Sequence, residues 1–121
     1  MKRFLLLFLL SILFISCTNA SYKSVSSDEA MKMMKQSKDY IILDVRTKSE
    51  FESGHIKGAI NIPNETITNS APSQLKDKSQ LIFVYCRSGN RSKQAASKLA
   101  KLGYSSIIEF GGINSWKGEI I

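Results

Sequence analysis

Cysteine is almost missing from this chain of 121 residues, with two in all, and histidine occurs once. Two cysteines cannot staple a disulfide scaffold, and one histidine leaves no Cys/His clusters at zinc-site spacing. Neither a metal nor a cofactor is therefore expected. Two prolines and seven glycines are too few for a collagen-like or low-complexity chain. No apolar run reaches the roughly 20 residues that a membrane-spanning helix needs. Acidic residues are also scarce: ten face 17 Lys and Arg, for a net charge of +7. That excess suits small anionic substrates or an anionic surface. The basic residues do not interleave with aromatics as nucleic-acid grooves require, so no nucleic-acid partner is expected. What is present, 43% hydrophobic and 22% charged residues, is the composition of one small globular domain.

The first residues stand apart from that domain. Lys2 and Arg3 precede an apolar run from Phe4 to Ile15 broken only by Ser11. A basic start, a short apolar stretch and small polar residues make the layout of an export signal, expected over residues 1–16. A buried N-terminal helix is disfavoured because the run has no polar face. Phe14-Ile15-Ser16-Cys17 resembles a bacterial lipobox, in which the cysteine is acylated and becomes the first residue. Lipidation of Cys17 is the favoured reading; ordinary cleavage after Ala20, behind Thr18-Asn19, is its rival. Either route places the protein in the bacterial cell envelope, lipid-anchored or soluble in the periplasm. A tether is expected over residues 17–21 and a domain over 22–121, and the Ser-rich residues 18–27 read as a short tether running into that domain.

Within the domain, helical and strand patterns alternate. Ser26 and Glu29 form a capping box for a helix that turns Ala30, Met33 and Met34 inward. Residues 40–45 read as a strand buried on both faces. Thr47 and Glu50 make a second capping box, opening a brief helix stopped by Gly54. Ala59 to Pro63 reads as another strand, and a short helix is expected near Ser73 to Lys76. Leu81 to Tyr85 is the strongest strand signal, and a helix follows Ser92 with Ala95, Ala96, Leu99 and Leu102 on one stripe and Gly103 as its left-handed cap. Ser106 to Phe110 makes the last strand. The class is α/β, a parallel sheet covered by helices on both faces.

In such sheets ligands bind beyond the carboxyl ends of the strands. Two strands deliver polar residues there: one ends in Asp44, the other runs into Cys86-Arg87-Ser88-Gly89-Asn90-Arg91-Ser92. A cysteine ahead of a helix N-terminus, with Arg87 and Arg91 beside it, is placed to hold a reactive thiolate. The plain alternative, a small buried apolar cysteine, leaves Gly89 and both arginines without a purpose.

Three motifs then identify a family. Asp44-Val45-Arg46 with Glu50 to Pro63 resembles the first signature of the rhodanese family. Residues 86–92 resemble its active-site loop, and Gly111-Gly112-Ile113-Asn114-Ser115-Trp116 its closing motif. The likeness covers about residues 22–119 and implies the three-layer rhodanese fold and a single-domain sulfurtransferase. Cys86 would take a sulfane sulfur from a small anionic donor such as thiosulfate, carry it as a persulfide, and pass it to a thiol or cyanide. The resemblance implies substrate binding by Arg87, Ser88, Gly89, Asn90, Arg91 and Ser92. A loop of six residues from Cys86 to Arg91 suits one sulfur atom, whereas related phosphatases use a loop one residue longer. A persulfide carrier with little turnover, and a Cys-based phosphatase or arsenate reductase, remain as alternatives. Asp44 and Arg46 could support the loop or guide substrate, but a structural ion pair is the favoured reading. His55 reads as a hydrogen-bonded structural residue and Trp116 as core packing. No protein partner can be read from the sequence.

Overall fold

The computed structural model describes residues 21–121. The expected signal segment, Cys17 and most of the tether lie outside the described residues. The chain runs β1 (Lys23–Ser24), α1 (Ser27–Lys35), β2 (Tyr40–Asp44), α2 (Lys48–Ser53), β3 (Ile60–Asn61), β4 (Leu81–Cys86), α3 (Asn90–Lys101) and β5 (Ile107–Gly112). The five strands form one parallel sheet in the order β1-β5-β4-β2-β3. From β2 the chain moves outward to β3, and from β4 it moves to β5 on the other side. The connections therefore diverge between β2 and β4, at the edge where ligands settle in open parallel sheets.

Side-chain alternation along β4 sorts the core into two layers. Ile82, Val84 and Cys86 face α3 and pack with Ala95, Ala96, Leu99 and Ala100. Phe83 and Tyr85 face the opposite layer with Ala30 and Met34 of α1, Ile42, Ile108 and Phe110. All five β4 residues after Leu81 are buried, so burial of apolar area anchors this strand at the centre of the fold. The alternation also puts Cys86 on the α3 side, directly under that helix's first turn.

The capping signals act locally, as expected. Thr47 Oγ1 accepts the Glu50 N–H at 3.2 Å while Glu50 Oε1 accepts the Thr47 N–H at 3.1 Å. At α1 only half of the box forms, with Ser26 Oγ accepting the Glu29 N–H at 3.0 Å. Gly103 follows α3 at φ +102°.

Three segments differ from expectation. No helix forms near Ser73 to Lys76; a turn closes there by the Leu75 N–H on the Pro72 carbonyl at 3.1 Å. So short a segment cannot nucleate a helix alone, and burial of Leu75 plus the Tyr104 hydroxyl on its carbonyl pin it otherwise. A 3-10 turn lies earlier, at Asn64–Thr66. The strand read over 59–63 keeps only Ile60–Asn61, because it is an edge strand facing just Leu43 and Asp44. Of the Ser-rich stretch read as a tether to residue 27, the described part instead supplies β1, pairing Lys23 with Ile108 and Ser24 with Glu109, and Ser27 already opens α1. Two exposed residues carry no apolar pattern by which to announce a strand.

Candidate active site

Cys86 ends β4, and only residues 87–89 separate it from α3. Gly89 turns the chain at φ +117°, a left-handed conformation that side chains resist. It is the N-cap of α3 and sends its N–H back to Cys86 Sγ at 3.0 Å. A fold-back this tight leaves no space on the β5 side. A Cβ on Gly112 would lie 1.8 Å from the Arg87 carbonyl oxygen, which explains the second glycine of the closing motif. The β4–β5 pairing shifts register between Val84 and Cys86, bringing Cys86 opposite Gly112. Such a bulge re-aims the end of a strand beside a site.

The sulfur is buried, with Cys86 1% exposed. Burial works against the thiolate, but the Ser92 hydroxyl and the backbone N–H groups of Ser92, Gly89 and Ser88 outweigh it. Together they bring the thiol below its ordinary pKa. The sequence assigns this lowering partly to Arg87 and Arg91; in the structure hydroxyl and backbone donors carry it. These same groups converge on the sulfur as the donors of an anion-binding nest do.

The other sequence-selected residues fall into distinct places. Arg87, Ser88 and Asn90 are exposed around the nest. The Arg87 guanidinium forms no ion pair among the described residues. Arg91 reaches across to α2, donating to both Glu50 oxygens at 2.7 and 3.1 Å. That fork, with the Thr47 bonds, holds the Glu50 carboxyl down at about 2 against the opposing effect of burial. Arg91 thus ties the loop to α2. Ser92 is fully buried, its Oγ 3.4 Å from Sγ. Asp44 and Arg46 form a buried ion pair at 2.7 Å, and Asp44 also accepts the Tyr85 hydroxyl at 2.6 Å. Arg46 further donates to the Gly54 carbonyl at 2.7 Å. These bonds join β2, β4 and the end of α2. His55 stacks on Phe51 with ring centroids 3.7 Å apart and its Nδ1 2.9 Å from the Phe51 carbonyl. Trp116 packs on Phe110 at 5.6 Å. A cavity of about 560 Å³ lies elsewhere, lined by Lys48, Phe51, Ala59, Ile60 and Pro63 among others, with no residue of the loop.

One residue of the site escapes sequence reading altogether. Glu109, on β5, is 1% exposed, and its Oε2 accepts the Ser92 hydroxyl at 2.6 Å. An acid inside an otherwise apolar strand, Ile107 to Phe110, was the signal available.

Comparison with known proteins fits this geometry. The family model described as "Rhodanese-like domain" matches residues 26–119. The adenylyltransferase and sulfurtransferase UBA4 of Meyerozyma guilliermondii is 36% identical over 90 residues, 68% of this chain but 21% of its own length. This chain thus spans about a fifth of that relative. The thiosulfate sulfurtransferase PspE of Escherichia coli is 34% identical over 71 residues, 59% of this chain and 68% of PspE. Among solved structures, a rhodanese-like domain protein from Staphylococcus aureus superposes with a TM-score of 0.67 at 32% identity, covering 80% of this chain and 93% of that one.

Proposed function

The chain belongs to the rhodanese-like family, and from that premise we propose that it is a sulfurtransferase whose sulfur carrier is Cys86. The Cys86 thiolate attacks the outer sulfur of a donor such as thiosulfate. The donor's S–S bond breaks, sulfite leaves with the electron pair, and Cys86 holds a persulfide. A thiolate or cyanide then attacks the terminal sulfur, and the Cys86 thiolate is released unchanged. No general base is needed, because the nucleophile is already favoured as an anion. The observation that carries this reading is the Cys86 sulfur held by the Gly89 N–H at 3.0 Å inside a six-residue loop. Names of relatives support it, since PspE is described as a thiosulfate sulfurtransferase. The test is direct: after incubation with thiosulfate, intact mass should rise by one sulfur atom, and cyanide should remove it. No gain in mass sinks the reading.

Arg87 supplies the specificity for an anionic donor. It is exposed in the loop directly after Cys86, where its guanidinium can form charge-assisted bonds to the oxygens of thiosulfate. Arg87→Ala should raise KM for thiosulfate and cost about 1.5–3 kcal/mol in kcat/KM. Arg87→Lys should recover only part of this, lacking the planar fork. Steady-state kinetics with thiosulfate and with a neutral persulfide donor make the comparison. Equal losses with both donors would mean that Arg87 only shapes the loop.

The proposal extends to location: export by residues 1–16 and anchoring through acylated Cys17, ahead of the domain at 22–121. Two or more acyl chains hold a protein at a membrane where one does so only marginally. Fractionation should find the wild type in membranes with Cys17 as its first residue, and Cys17→Ala in the soluble fraction. A soluble wild type beginning at Ser21 would replace lipidation with ordinary signal cleavage.

A further inference from the structure

Glu109 has no part in the reaction just described, yet its hydrogen bonds lead to the reacting sulfur. Its Oε1 accepts the Ser24 hydroxyl of β1 at 2.7 Å. Its Oε2 accepts the Ser92 hydroxyl at 2.6 Å and the Gly111 N–H at 2.8 Å. A buried carboxylate is costly even when paired, and here it stands beside a sulfur that must work as an anion. Like charges so placed oppose each other, so the arrangement calls for a reason.

Ser92 is the shared element. A hydroxyl carries one proton, and three acceptors surround Ser92 Oγ: Glu109 Oε2 at 2.6 Å, the Gly89 carbonyl at 3.0 Å and the Gly111 carbonyl at 3.3 Å, while the Cys86 thiol donates to it at 3.4 Å and becomes a fourth acceptor once it ionises. The carboxylate is the nearest of them, and a charge-assisted bond is about twice as strong as a neutral one. It draws the proton from the sulfur.

We propose that Glu109 is a positioning residue for sulfur transfer, competing with Cys86 through Ser92 for one hydroxyl proton and keeping the sulfur more nucleophilic than the Ser92 hydroxyl and the N–H donors together would leave it. The proposal rests on the reading of Cys86 as sulfur carrier. In thiol exchange an attacking sulfur gains rate with basicity, while a leaving sulfur loses it. Glu109 therefore favours loading of Cys86 over its discharge. No bond to hydrogen breaks; the Ser92 proton only turns between acceptors. The charged groups around the pair are Lys93 of α3, with Nζ 3.7 Å from Oε1, Arg91 of α3, whose charge is felt at Cys86, and Arg87, exposed in the loop next to Cys86. From the other layer α1 brings the neutral Ser27 hydroxyl, 3.3 Å from the Phe110 carbonyl.

Glu109→Gln tests this, because the amide keeps the shape and an acceptor while removing the charge. The readout is the pH profile of iodoacetamide alkylation at Cys86, followed by peptide mass. The variant's profile should move to lower pH by about one unit. Its alkaline plateau should fall about threefold, since a less basic thiolate is a poorer nucleophile. The two curves then cross, and loading from thiosulfate should cross likewise. Superimposable profiles, or a uniform loss without a shift, overturn the proposal. In a Ser92→Ala background the Glu109→Gln shift should shrink; an undiminished shift overturns transmission through Ser92. If Glu109→Gln does not fold, Ser24→Ala decides. Ser24 is exposed, and its loss leaves the carboxylate drawing harder on Ser92, so the profile should move to higher pH. An unmoved profile overturns the proposal. Iodoacetamide needs only a reactive thiol, so crossing profiles without any thiosulfate loading would defeat the sulfurtransferase reading and leave this control of Cys86 standing.

Discussion

Replacement of Cys86 by serine should leave the fold in place and abolish sulfur loading. Cys86 is 1% exposed and packs among Val84, Ala95 and Ala96, so a side chain of similar size keeps the layer filled. Serine can also accept the Gly89 N–H that the sulfur accepts now. It cannot form a persulfide or supply a thiolate. Transfer from thiosulfate to cyanide should fall by about 10³-fold or more, as nucleophile replacements do. Urea unfolding should shift by no more than about 1 kcal/mol. Peptide mass should show no sulfur gained at position 86. Retained transfer activity in this variant would remove Cys86 from the role of carrier, whatever the state of the loop.

Asp44→Ala should be the most damaging change to stability, and for a reason unrelated to sulfur. Asp44 is fully buried and accepts from the Arg46 side chain at 2.7 to 3.1 Å, from the Arg46 N–H at 2.9 Å and from the Tyr85 hydroxyl at 2.6 Å. Desolvation weakens the charged form of Arg46, and its bonds to Asp44 more than offset that, so its pKa is raised. Burial first, and the bond to Asp44 next, push the Tyr85 hydroxyl up as well. Removing the carboxylate strands a buried guanidinium and a buried hydroxyl, a loss of about 3–5 kcal/mol. For a domain whose whole stability is about 5–15 kcal/mol, that brings unfolding close to working conditions. Asp44→Asn keeps one acceptor and should lose less. Urea midpoints of the two variants measure the difference. A loss below 1 kcal/mol for Asp44→Ala would show that the pair is replaceable by water or repacking.

Much of the fold was legible because its signals are local. The apolar runs at 40–44 and 81–86, the Thr47–Glu50 box and the stripe of α3 each depend on residues a few positions apart. The same holds for the loop at Cys86: Cys86, Gly89 and the start of α3 lie within one turn of chain, so its chemistry is legible in the sequence. Local signals failed where there was little pattern to read, at the two-residue strands β1 and β3 and in the turn around Leu75.

By itself, then, the sequence determined the α/β class, the strand that ends in Cys86 and the glycine that curls the loop back onto its sulfur. Only the tertiary structure decided what surrounds that sulfur. Arg91 meets Glu50 across 41 residues, Ser24 meets Glu109 across 85, and Ser92 meets Glu109 across 17. Gly112 is required because β5 brings its backbone against the Arg87 carbonyl. These pairings follow from strand order and register, which bring β1 beside β5 and β5 beside β4. Register is a property of the whole sheet, set by burial summed over both layers, and no single stretch of chain encodes it.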